Sequence, residues 1–187
     1  MKVLIVDNYD SFTYNLVHLV EQFVAEVTVL RNDKIDLQEV EQFDKILLSP
    51  GPGLPKEAGL LNELIKKYAP TKSIFGVCLG HQAIGEMFGC KLLNIKKVKH
   101  GEESILTQVD SSELLFKGIE EPITVGHYHS WVIDENSLDE NWKVTAFSDG
   151  LVMAIAHQRW DVRGLQFHPE SVMTSQGSKM IQNWLNS

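Results

Sequence analysis

Hydrophobic positions along the 187-residue chain follow two rhythms. Residues 2–6 (Lys2-Val3-Leu4-Ile5-Val6) are almost continuously apolar and end in Asp7-Asn8-Tyr9-Asp10, which predicts a strand buried on both faces. Phe12, Leu16, Leu19, Val20 and Phe23 then recur at helical spacing, predicting a helix with Asp10 or Ser11 as its N-cap. Residues 26–30 and 45–48 read as strands, the latter stopped by Ser49-Pro50-Gly51-Pro52-Gly53. A helix over 58–68, a strand over 73–77 and a helix over 81–88 follow.

This β-α-β alternation predicts an α/β protein of flavodoxin-like, three-layer type, with a mainly parallel central sheet and helices on both faces. Beyond residue 90 the pattern changes. Short apolar runs at 91–93, 104–109, 123–125, 143–146, 152–156 and 162–167 are separated by turns rather than helices, which predicts an antiparallel extension of the sheet. A final amphipathic helix over 175–185 gathers Met180, Ile181, Trp184 and Leu185 on one face. The length suits a single domain, 1–187, large enough to bury a full core without metals or disulfides.

Composition narrows the function. Lys plus Arg number 17 against 25 Asp plus Glu, a formal charge of −8, which argues against a nucleic-acid partner. Residues 101–140 hold ten acids against Lys117 alone, either a solvated surface or a patch that steers a partner. Two cysteines make no disulfide framework, no apolar run is long enough to span a membrane, and Asp7 interrupts the first apolar run too early for a signal peptide. A cytoplasmic protein with reduced thiols, free of membrane contact, is the expectation.

The chemistry concentrates at Gly76-Val77-Cys78-Leu79-Gly80, a Gly-x-Cys-x-Gly between a strand and a helix. This is the nucleophile-elbow pattern with cysteine in place of serine. The sharp turn demands small residues two before and two after the nucleophile, and the helix N-terminus beyond it favours thiolate over thiol. The Leu79 N–H then lies where an oxyanion donor is needed. Cys90, at a helix end, reads as a packing residue.

A thiolate nucleophile needs a base and a group that orients the base. Of seven histidines, His168 stands out, in Phe167-His168-Pro169-Glu170-Ser171. Pro169 keeps His168 extended, so Glu170, two residues on, can share its side and hold one ring nitrogen while the other faces Cys78. His18 reads as a helix residue at the core edge, and His81 as pointing along its helix. The Pro-flanked Gly51 can bring its N–H close to a ligand, as a second oxyanion donor. His127-x-His129 with a third histidine could hold zinc, but neither Cys-x-x-Cys nor His-Glu-x-x-His accompanies it, and no metal is expected.

Together these segments resemble the class I glutamine amidotransferases, over essentially the whole chain. The resemblance rests on Asp7-Asn8-Tyr9-Asp10-Ser11-Phe12-Thr13-Tyr14-Asn15, Ser49-Pro50-Gly51-Pro52-Gly53, Gly76-Val77-Cys78-Leu79-Gly80-His81-Gln82, His100-Gly101, Tyr128-His129-Ser130 and Phe167-His168-Pro169-Glu170-Ser171. The first two favour the chorismate-using branch, the glutaminase subunits of anthranilate synthase and aminodeoxychorismate synthase. The resemblance implies Cys78 as nucleophile, His168 as general base and acid, and Glu170 as its orienter. It implies oxyanion donors at Gly51 and Leu79, and a glutamine pocket of Gly51, Pro52, Gly53, Gln82, Ser130 and Trp131. It further implies hydrolysis of glutamine to glutamate without a cofactor. The partner it implies, the one that receives the ammonia, is a chorismate-binding synthase subunit, most readily that of anthranilate synthase.

Two positions depart from the family pattern: Trp131 where leucine is usual, and Leu54 where a small polar residue is commoner. Neither touches the triad. A stand-alone cysteine hydrolase and a non-catalytic flavodoxin-like module are the rival readings. The Pro-Gly loop argues against the first, and the intact Cys78, His168 and Glu170 against the second.

Overall fold

The computed structural model describes residues 1–187, apart from the side chain of Lys97. Its elements, in chain order, are β1 (Lys2–Asp7), α1 (Thr13–Glu21), β2 (Glu26–Arg31), β3 (Lys45–Leu48), α2 (Leu61–Tyr68), β4 (Ser73–Val77), α3 (Leu79–Met87), β5 (Leu92–Ile105), β6 (Thr124–Ile133), β7 (Trp142–Ser148), β8 (Leu151–His157), β9 (Val162–Leu165) and α4 (Gly177–Leu185).

Seven strands form one sheet in the order β2-β1-β3-β4-β9-β8-β7. The first five are parallel, and β8 and β7 continue the sheet antiparallel. The chain first steps from β1 to β2 and then, on the other side, to β3. The strand order therefore reverses between β1 and β3, the crevice in which doubly wound sheets bind ligands. Side-chain alternation along the buried strands builds the three layers. Val3, Ile5, Leu47, Phe75 and Val77 pack on one face with Leu16, Val17 and Val20 of α1 and Met180, Ile181 and Trp184 of α4. Leu4, Val6, Ile46, Leu48 and Ile74 pack on the other with Leu61, Leu64 and Ile65 of α2 and Ala83 and Ile84 of α3.

The α/β class, the parallel order and the helices on both faces agree with the sequence pattern. Four details differ. First, β5 and β6 do not extend the sheet; they pair with each other as a separate two-stranded ribbon. Much of β5 is exposed, including Val98 and Ile105, and such a strand cannot lie between two helical layers. Second, β9 is antiparallel to β8, as expected, but on its other side it lies parallel beside β4 and so completes the parallel core; its Val162, Gly164 and Leu165 are small or apolar enough to be buried on both faces. Third, the buried face of α1 is Thr13, Leu16, Val17 and Val20, whereas Phe23 is exposed. The N-cap is Phe12, with the Asp10 carboxylate accepting from the Phe12 N–H at 3.2 Å. Fourth, the span expected as one helix over 58–68 begins only at Leu61, after a single 3₁₀ turn, Pro55–Glu57.

The acidic run is partly paired within the fold: Glu113 holds Arg163 at 2.6 Å and Asp110 binds Lys143. No helix among the described residues is long and apolar enough to cross a membrane.

Helix α4 begins where the chain is tightest. A Cβ on Gly177 would lie 1.8 Å from the carbonyl oxygen of Pro169. Gly177→Ala should therefore destabilise the fold by about 1–3 kcal/mol through overpacking. A chemical-denaturation midpoint equal to wild type would contradict this packing.

Candidate active site

Cys78 follows β4 at the carboxyl edge of the sheet and opens α3. Its backbone is at φ 51°, ψ −103°, a region that costs a residue with a Cβ about 1–3 kcal/mol. The surrounding glycines make the turn possible. A Cβ on Gly76 would sit 2.5 Å from the Gly80 carbonyl, and one on Gly80 2.5 Å from the Leu48 carbonyl. The Cys78 N–H is held by the Leu165 carbonyl at 2.8 Å, tying the elbow to β9.

His168 and Glu170 come together as expected. His168 Nδ1 and Glu170 Oε1 are 2.7 Å apart, with both side chains almost wholly buried. The backbone reason differs from the expected one. Residues 168–171 form a turn closed by the Ser171 N–H on the His168 carbonyl at 3.2 Å, not an extended segment, and the turn brings Glu170 back over the ring. The turn is clamped to β6. The His168 N–H donates to Gly126 O at 3.1 Å, Thr174 Oγ1 donates to His168 O at 2.7 Å, and the Gly126 N–H donates to Thr174 Oγ1 at 3.0 Å. Phe12 and Tyr128 wall the imidazole edge-on, with centroids at 6.1 and 5.0 Å.

Burial alone would depress the pKa of His168. The neighbouring Cys78 thiol and the Glu170 carboxylate outweigh it and hold the pKa well above 6.5. Cys78 is thus close enough to stabilise the imidazolium, while Nε2 has no hydrogen-bond partner among the described residues.

The remaining expected residues converge on one cavity of about 190 Å³, lined by Gly51, Pro52, Gly53, Cys78, Gln82, Tyr128, His129, Ser130 and Trp131. Gly51 abuts the start of α3: a Cβ there would fall 2.6 Å from both Asn8 Cβ and Leu79 Cδ2. The N–H of Leu79, first residue of α3, has no acceptor within the helix. The two expected oxyanion donors thus belong to segments in direct contact. Gln82 Nε2 donates to the Trp131 carbonyl at 2.9 Å and to Gln166 Oε1 at 3.1 Å. Trp131 therefore joins the site through its backbone.

The other histidines go elsewhere. His81 does not run along its helix; its ring packs on Gly164 of β9, fully buried, and burial depresses its pKa to about 3. His18 lies away from the core, exposed beside Glu21. His127 and His129 face each other, and no group of three or more metal-ligating side chains forms among the described residues. Cys90 is buried among apolar neighbours, which pushes its thiol up to about 11.

Three contributors escaped the sequence reading. Gln166, fully buried, sets its Nε2 3.7 Å from Cys78 Sγ while its carbonyl holds Gln82. Its signal was an amide at the end of an otherwise apolar strand. Asn8 and Ser49 anchor the Gly51 loop: Asn8 Nδ2 donates to Ser49 O at 2.7 Å, and the Asn8 N–H donates to Ser49 Oγ at 2.9 Å. Their signal was a polar pair at the ends of two adjacent buried strands.

A strained elbow cysteine at the carboxyl edge of a parallel sheet, next to a buried His–carboxylate pair, is the arrangement of a cysteine-dependent acyl-transfer enzyme. The profile of the family "Glutamine amidotransferase class-I" matches residues 4–187, and the chain belongs to that family. The chain is 43% identical to aminodeoxychorismate synthase component 2 of Escherichia coli strain K12, over 98% of this chain and 99% of the relative. It is 40% identical to aminodeoxychorismate/anthranilate synthase component 2 of Bacillus subtilis strain 168, over 99% and 96%. A crystal structure of a Thermoplasma acidophilum protein assigned to GMP synthase superposes with a TM-score of 0.89 at 26% identity, covering 100% of this chain and 92% of that one.

Two outcomes follow from this geometry. In an NMR titration, the His168 midpoint should lie above 6.5 in the wild type and fall in Cys78→Ala, which removes one of the two groups that raise it. By linkage, protonated His168 stabilises the fold fully below about pH 6.5 and loses that contribution as pH rises through the folded-state value. An unchanged midpoint in the variant would mean that the thiol and imidazole are not coupled. Gln166→Leu, close in volume, should weaken both glutamine KM and kcat by freeing Gln82 and the thiol, whereas Gln166→Glu should restore the acceptor for Gln82 and recover KM in part. Steady-state kinetics on the two variants would reveal this split.

Proposed function

We propose that this chain is the glutamine-hydrolysing component of a chorismate-using synthase, acting first with an anthranilate synthase component. Family membership, together with Cys78 at the wall of a cavity that also gathers Gly51, Gln82, Ser130 and Trp131, and with the buried His168–Glu170 pair coupled to Cys78, carries this reading. Service to an aminodeoxychorismate synthase component is a second reading, favoured by the 43% relative that bears that name. A stand-alone cysteine hydrolase accounts less well for full-length likeness to second components of synthases.

The Cys78 thiolate attacks the side-chain amide carbon of glutamine. Negative charge developing on the amide oxygen is met by the N–H groups of Gly51 and Leu79, fixed before substrate arrives, which is the condition under which such donors are most effective. Imidazolium at His168 gives its proton to the departing nitrogen, ammonia leaves, and a glutamyl thioester remains. Neutral His168 then takes a proton from water as the water attacks the thioester. Collapse expels thiolate and restores the imidazolium, held throughout by Glu170. Gln82, Ser130 and the Trp131 backbone, with residues 51–53, form the pocket for the amino-acid end of the substrate. No metal or cofactor enters any of these steps.

The test is made on the complex with the chorismate-using component. Cys78→Ala should abolish synthesis from glutamine and leave synthesis from added ammonia intact, whereas Cys90→Ala should leave both unchanged. His168→Ala should cost more glutaminase kcat than Glu170→Ala, because Glu170 acts through the imidazole. Glutamine use by Cys78→Ala at near wild-type rate would remove Cys78 from the mechanism.

A further inference from the structure

The glutaminase cycle above, on which this inference rests, produces one proton too many. Amide plus water gives ammonia plus a carboxylic acid. Thiolate and imidazolium are regenerated, and the acid then ionises at neutral pH, leaving a carboxylate and a free proton in the pocket. If that proton goes to ammonia, the product is ammonium, which has no lone pair with which to attack an acceptor. The proton therefore needs an exit separate from the ammonia.

Among the described residues, a buried polar chain that the triad does not use leads away from the cavity. His129, 5% exposed, lines the cavity that holds Cys78, and its Nδ1 is buried without a hydrogen-bond partner among the described residues. Its Nε2 lies 3.2 Å from Nδ1 of His127, which is fully buried. His127 Nε2 lies 2.5 Å from Ser104 Oγ, and Ser104, on β5, is partly exposed. Ser148 Oγ supports the hydroxyl at 2.6 Å. We propose that His129, His127 and Ser104 form a proton exit path from the glutamine cavity to the protein surface.

Each member can accept and donate at once, as a relay requires. One set of tautomers leaves His129 Nδ1 as a bare acceptor toward the interior. His129 Nε2–H then donates to His127 Nδ1, and His127 Nε2–H donates to Ser104 Oγ. A proton taken up at His129 Nδ1 displaces the next one along each link, and the last leaves from Ser104 to solvent. No atom moves more than a bond length, and the imidazoles are left as the opposite tautomers, which ring rotation or reverse hopping resets.

The surroundings suit a conduit rather than a store. Burial, reinforced by Lys99, depresses His127 to about 4, and burial, His127 and Lys99 depress His129 to about 3. His168 also repels a charge on either ring, while Asp149 and Glu102 favour one on His127, the member nearer the surface. Neither ring thus retains a proton at neutral pH, as suits a conduit.

The test uses the full chain with its synthase component, and reads two quantities. Alkylation of Cys78 by a diazoketone analogue of glutamine reports the thiolate and the pocket. Glutamate release at low and high buffer concentration reports proton removal. In Ser104→Ala and His127→Ala, alkylation should match wild type, and turnover in dilute buffer should fall roughly tenfold or more, as for loss of a proton-transfer group. Raising imidazole or phosphate should restore it, while wild type stays insensitive to buffer. Wild-type turnover in both variants, a loss that no buffer concentration recovers, or loss of alkylation along with turnover would each overturn the relay. Failure of the analogue to alkylate wild-type Cys78 would instead overturn the amidotransferase reading itself.

Discussion

The torsion angles of Cys78 require three backbone segments to approach more closely than side chains allow. β4 passes the first turn of α3 at Gly76 and Gly80, and that turn lies against the end of β3 at Leu48. A Cβ at either glycine would collide with backbone carbonyls, so no side-chain adjustment could relieve it. In return, the thiol projects from the sheet edge with the N-terminus of α3 behind it. The position of every other functional group is defined relative to that elbow. Gly51 is pressed against Leu79, Gln82 follows one turn later on α3, and Leu165 of β9 accepts from the Cys78 N–H.

The second dependence runs through β9. This four-residue strand is the only parallel neighbour of β4 that comes from the second half of the chain. It delivers Gln166 and His168 to the thiol from a sequence distance of about ninety residues. The turn after it is clamped at both ends: Thr174 and Gly126 hold the His168 backbone, and Gly177 seats against the Pro169 carbonyl. The His–Glu pair is therefore set by backbone contacts to β6 and α4 more than by its own side chains, which is how a buried charged pair keeps one geometry.

Much of this could be read from the amino acids. Gly76 and Gly80 announce the elbow around Cys78 because a Cβ at either would strike backbone, and the short apolar runs of β1, β3 and β4, bounded by turn residues, read as strands covered on both sides. The pocket residues Gly51, Gln82, Ser130 and Trp131 were expected through family resemblance, and they do line one cavity. What could not be read is partner choice among strands. β9 and the halves of the β5–β6 ribbon look alike as short apolar runs, and pairing depends on which faces the remaining chain covers. Gln166 was missed for a related reason, since an amide in a strand is informative only when its neighbour across the sheet is known. The helical face of α1 was misjudged at Phe23 because α1 ends at Glu21, before the periodicity does.

The ribbon formed by β5 and β6 carries one wall of the cavity, from Tyr128 to Trp131, yet shares no ladder with the seven-stranded sheet that carries the nucleophile. The two walls belong to different sheets, joined near the site by the amide of Gln82 on the Trp131 carbonyl and by the clamp at Gly126, and elsewhere by Ser104 on Ser148 and by Val125, Val132 and Ile133 packed in the shared core. A force applied to the exposed side of the ribbon, as by a docked protein, would therefore reach the mouth of the pocket through Gln82 and the backbone of His168 through Gly126.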